Sequence, residues 1–77
     1  MATPTVVTTG VLDNLLLITD HDGLNHRVPK TAVGNIVNSG NENADRIEIH
    51  YAGGEIVLIF ESAIEVAAFL TLIDAQY

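Results

Sequence analysis

The chain has 77 residues, a mass of 8.2 kDa, no cysteine, and a net charge of −7 from ten acids against three basic residues. The missing cysteines exclude disulfides and thiolate metal sites, and 48% hydrophobic residues exclude disorder. Only 17% of residues are charged, against about 25% in an average protein, so one small domain must find cover for an excess of apolar side chains.

The first twelve residues carry no charge. Thr3, Thr5, Thr8 and Thr9 alternate loosely with Val6, Val7 and Val11, with Pro4 and Gly10 as interruptions. This composition reads as an extended N-terminal arm over residues 1–12, β-prone and therefore docked rather than free. Its docking site is either its own sheet or the edge of a neighbouring chain.

A strand follows over about Asn14–Thr19, and Asp20-His21-Asp22-Gly23 reverses the chain. A three-residue turn with left-handed Gly23 pairs Leu16 with Val28 and Ile18 with His26. A two-residue turn pairs Leu17 with Val28 instead. Asp20 is expected to cap the turn and His21 to be solvated. The next strand, about Leu24–Val28, stops at Pro29, which cannot donate to a ladder. Lys30–Asn38 reads as a short strand or a single helical turn, and Gly34 with its β-branched neighbours weakens a helix and favours the strand. Asn38–Asn43 reads as a polar surface loop.

Ile47, Ile49 and Tyr51 alternate with Arg46, Glu48 and His50, the pattern of a half-buried strand. A hairpin turn at Gly53-Gly54 would pair Tyr51 with Ile56, Ile49 with Leu58 and Ile47 with Phe60. The other face would then pair His50 with Val57, Glu48 with Ile59 and Arg46 with Glu61. Ser62 and Glu65 form a capping box ahead of a helix over about Ala63–Ala75. Val66, Phe69, Leu70, Ile73 and Tyr77 fall on one stripe that should cover the Ile-rich sheet face.

The chain therefore reads as an α+β fold. It is a small, mainly antiparallel β-meander of about four strands, with one C-terminal α-helix packed on one face and the extended arm before it. Residues 13–77 form a single sheet-plus-helix domain.

Apolar residues occur where this arrangement has no room for them. Ile64, Ala68 and Leu72 share a second helix face, and Val57 and Ile59 point away from the helix-covered side of the sheet. Either the arm and Lys30–Asn38 fold over the second face, or a partner subunit covers it. The candidate interface is Val6, Val7, Val57, Ile59, Ile64, Ala68 and Leu72.

Catalytic chemistry finds little support in the residues. Ser39 lies in the polar loop, Ser62 caps the helix, and no Lys-Ser/Thr follows Gly53-Gly54 to make a phosphate loop. Asp20, His21, Asp22 and His26 form the one local cluster of candidate ligands, but no calcium-loop or zinc set is completed there unless His50 joins from the other hairpin. The cluster is read as turn chemistry, with no metal and no cofactor. Arg27, Lys30 and Arg46 are scattered, which disfavours nucleic acid and anionic membranes as partners. No signal peptide or membrane span is apparent, so a cytoplasmic or virion-associated product is expected. The expected function is non-enzymatic: a structural or assembly subunit that packs with copies of itself or with a larger shell or tail, its virion-type setting an architectural analogy. The alternative is a small acidic regulator or inhibitor of a protein target.

Overall fold

Period-two alternation and β-branched residues set the strands of the computed structural model, which describes residues 2–38 and 45–77. The strands are β1 (Thr5–Thr9), β2 (Leu15–Thr19), β3 (Asn25–Pro29), β4 (Val33–Asn38), β5 (Arg46–Tyr51) and β6 (Gly54–Ile59), and the helix is α1 (Ala63–Ala75). They form two antiparallel three-stranded meanders, β1-β2-β3 and β4-β5-β6. The fold is α+β, a β-meander with a C-terminal helix packed on it, but with six strands in two sheets rather than about four in one. Of the expected polar loop, Ser39–Asn43 lies outside the described residues.

Two local features account for the extra sheet. Residues of the N-terminal arm pair within the chain: Thr5–Thr9 lies antiparallel to β2, with Val6 opposite Ile18 and Thr8 opposite Leu16. Then Pro29 ends β3, and a 3-10 turn over Lys30–Ala32 redirects the chain before β4 begins. The Lys30 N–H still donates to the Asn14 carbonyl at 3.0 Å, so the missing proline N–H faces the open edge of β3 and it is the 3-10 turn that carries the chain into a second sheet.

The β2–β3 connection takes the three-residue form, with Leu16 opposite Val28 and Ile18 opposite His26. Gly23 sits at φ 83°, a left-handed position that favours glycine. Between β1 and β2 the chain is tighter. Gly10 has φ 84°, and Leu12 and Asp13 also take positive φ, at 60° and 53°. A left-handed leucine costs roughly 1–2 kcal/mol.

The β5–β6 register differs from the expectation by two residues. Tyr51 pairs with Gly54, Ile49 with Ile56 and Ile47 with Leu58, so the turn falls at Ala52-Gly53 and Gly54, at φ 151°, opens β6. A shift of two leaves every side chain on its face. The same residues therefore make up each face, while the cross-strand partners change on both.

Both sheets and the helix meet in one core. Val6, Leu16, Ile18 and Val28 enter from the first sheet, and Ile47, Ile49, Ile56 and Leu58 from the second. Phe60, Val66, Phe69 and Ile73 complete it, with the Phe60 and Phe69 rings edge to face at 5.4 Å. Half of the capping box forms: Ser62 Oγ accepts the Glu65 N–H at 3.4 Å, while Glu65 Oε2 reaches one residue past the cap to accept the N–H of Glu61 at 3.0 Å. Glu65 Oε1 also accepts the Thr3 hydroxyl at 3.4 Å, tying α1 to the residues before β1. Tyr77 departs from the expected stripe. The helix stops at Ala75, and Tyr77 turns outward, donating its hydroxyl to the Lys30 carbonyl at 3.0 Å.

Candidate functional site

Three groupings of side chains stand out: the outward face of α1, the Asp20 turn, and a cluster on the outer face of β5 and β6.

In α1, Val66, Phe69 and Ile73 point into the core. At 100° per residue the opposite side is centred on Ile64, Ala67, Ala68, Thr71 and Ala75, all of them exposed. That side of the helix is uncharged, and Ile64 is 82% exposed. Surface helices ordinarily carry charged residues there, and a helix apolar all round is normally buried. Glu65 flanks the core, and Asp74 sits at the rim of the outward face.

The candidate interface residues are distributed unevenly by the fold. Ile64, Ala68 and Leu72 share the exposed side of α1, Leu72 at its flank and 43% exposed. Val7 is exposed on the outer face of the first sheet, opposite Leu17. Val57 and Ile59 are half-buried on the outer face of the second sheet, opposite Glu48 and Arg46. Val6 is removed from the set: it is 1% exposed, a core residue facing inward beside Ile18. Alternation puts Val6 and Val7 on opposite faces, so once β1 pairs with β2 they cannot both be accessible. Val11 and Leu12, at the β1–β2 connection, are 81% and 94% exposed and were not among the sequence candidates. Composition alone did not distinguish them from the rest of the arm, because their exposure depends on the left-handed turn.

The Asp20 turn is a structural clamp. Asp20 is buried, and its Oδ1 accepts the N–H groups of Asp22 and Leu24 at 2.9 and 3.0 Å. Its Oδ2 lies 2.7 Å from His26 Nε2. A carboxylate only accepts, so His26 Nε2 carries the proton of that bond. The bond from His26 holds the Asp20 carboxyl below its usual pKa; desolvation opposes this, and the Leu24 and Asp22 N–H groups support it. His21 is not solvated as expected. Its Nδ1 accepts the Ile59 N–H at 3.2 Å, and its carbonyl accepts the Ala2 N–H at 3.0 Å. The turn thereby reaches across to the second sheet, a long-range contact that a local reading of four turn residues has no means to show.

The third grouping follows from the observed register. His50 faces Glu55 rather than Val57, and Glu48 lies two residues away on the same face of β5. His50 Nε2 is 3.3 Å from Glu48 Oε1 and 3.7 Å from Glu55 Oε2. Arg46 does not meet Glu61; it faces Ile59 across the strands, and its Nη2 holds Glu48 Oε2 at 3.0 Å. His50 is thus grouped with two glutamates and not with His21 and His26. Among the described residues, no helix is long and apolar enough to cross a membrane. A scan against protein-family models, a search of curated proteins and a search of solved structures return no match to this chain.

Proposed function

We propose that the protein is a small structural subunit that assembles with copies of itself through the outward face of α1. The observation that carries this reading is the uncharged exposed side of the helix, Ile64-Ala67-Ala68-Thr71-Ala75, with Leu72 at its flank. A second copy suits this face for two reasons. The chain carries −7, which opposes association, and a contact that brings no like charges together, as this side of the helix does, adds least to that repulsion. The face is also self-complementary. An antiparallel crossing at Ala68 sets Ile64 of one copy against Leu72 of the other, and does so twice about a two-fold axis. The small residues Ala67, Ala68 and Thr71 at the centre permit close approach of the helices.

Sedimentation equilibrium across a range of concentrations tests the proposal, with Leu72→Asp and Ile64→Asp alongside the unaltered chain. Position 64 lies in the first helical turn, where an added carboxylate favours the helix dipole, so Ile64→Asp challenges the contact without weakening the helix. The expected result is a concentration-dependent dimer or larger species that both variants shift to monomer. A chain that stays monomeric at every concentration overturns it. So does an oligomer that ignores both substitutions.

A further inference from the structure

The structure carries a second feature, independent of the helix face, on the outer surface of the second sheet. Glu48, His50 and Glu55 each offer a donor atom within 4.8 Å of the other two. The backbone fixes their convergence: His50 and Glu55 are direct cross-strand partners, and Glu48 and His50 are two apart on one face of β5. From these residues we infer a divalent metal site, with zinc the best-suited ion, held by Glu48, His50 and Glu55 and completed by water.

The first argument is charge. His50 Nε2 carries at most one proton, yet two carboxylate oxygens approach it, at 3.3 and 3.7 Å. One hydrogen bond leaves the other carboxylate beside like charge. Arg46 offsets part of this by binding Glu48 Oε2 at 3.0 Å, and that bond leaves Glu48 Oε1 aimed at His50. A dication among the three donors converts repulsion between the carboxylates into shared ligation.

The second argument is size. Zinc–nitrogen and zinc–oxygen bonds of about 2.0–2.2 Å place the donors of a tetrahedral site about 3.3–3.5 Å apart. The two separations measured from His50 Nε2 lie at or close to that spacing. The mixed set decides the ion. Calcium and magnesium prefer all-oxygen shells, whereas imidazole favours zinc and its transition-metal neighbours. Glu55 is the most exposed of the three side chains, which leaves the fourth position open to water.

The test is a titration of the full chain with zinc sulfate, followed by calorimetry and by backbone and imidazole NMR. The expected result is saturable binding of one ion per chain, with the largest shifts at residues 48–55. His50→Gln and Glu55→Gln should abolish saturation, and His26→Gln should leave it intact. The NMR arm locates the ion in the unaltered chain, so the outcome does not depend on how well a variant folds. Binding that survives His50→Gln, shifts centred on the Asp20 turn, an equal response to calcium chloride, or no saturable binding would each overturn the inference.

Discussion

His21 Nδ1 accepts the backbone N–H of Ile59 at 3.2 Å, across 38 positions of sequence. The bond links the β2–β3 turn to the last residue of β6, so a side chain at the tip of one sheet secures the end of the other. It also fixes the imidazole form, since a ring nitrogen that accepts cannot carry a proton. Replacing His21 with Leu leaves the Ile59 N–H without its partner. The expected loss is about 1–2 kcal/mol in urea unfolding. An unchanged midpoint would show that water replaces the imidazole at no cost.

Asp20 makes the β2–β3 turn acid-sensitive. Its folded pKa lies below the unfolded value, principally because of the bond from His26. Its stabilising contribution is therefore complete above the unfolded pKa of about 3.9 and is lost as pH falls through the lower, folded value. Asp20→Asn should reduce stability at pH 7 by about 1–2 kcal/mol and flatten the acid limb of the melting profile. Identical profiles for the two proteins below pH 5 would remove Asp20 as the cause.

The β1–β2 connection stores backbone strain at an exposed leucine. Leu12 sits at φ 60° with 94% of its surface exposed, so little packing among the described residues holds it there. Asn tolerates the left-handed region better, so Leu12→Asn should raise stability by roughly 1 kcal/mol. Gly10→Ala should do the reverse. Gly10 has φ 84°, and an added Cβ would lie 2.8 Å from Asn14 Oδ1. Gly34 has nothing closer than 3.8 Å and serves as the neutral control. Thermal melts of the three variants rank the effects.

Val6 and Val7 separate packing from association. Val6→Ala opens a cavity beside Ile18 and should cost about 2 kcal/mol. Val7→Thr, on the outer face, should leave the melting temperature of the dilute chain within about 4 °C. Equal effects at the two positions would mean that β1 is not held as the structure places it.

Local chemistry made the helix legible in the sequence. Ser62 and Glu65 are three residues apart, and the two capping bonds stay within that turn. Val66, Phe69 and Ile73 likewise carry their spacing in the chain itself. Strand faces were legible for the same reason: Ile47 and Ile49 alternate with polar neighbours whatever they pair with. Register was not. Placing the turn at Gly53-Gly54 or at Ala52-Gly53 buries the same residues, so alternation cannot choose between them. The difference decides whether His50 meets Val57 or Glu55, and with it whether the Glu48-His50-Glu55 cluster exists. The reach of His21 to Ile59 depends on packing between distant segments, which neither propensity nor periodicity encodes. The outward face of α1 was readable from Ile64, Ala68 and Leu72. The exposed tip at Val11 and Leu12 was not, because it rests on two residues in an unfavoured backbone conformation.

The bond from Thr3 to Glu65 spans 62 positions and joins the approach to β1 to the first turn of α1. Val6 and Phe69 belong to one core, so neither the first strand nor the helix can leave without exposing the other. The two are therefore expected to open as one cooperative unit. Amide protons in β1 and in α1 would then exchange with solvent at a common free energy, although almost the whole chain separates them. A lesion in the threonine-rich opening segment would be felt as fraying of the helix that follows Ser62.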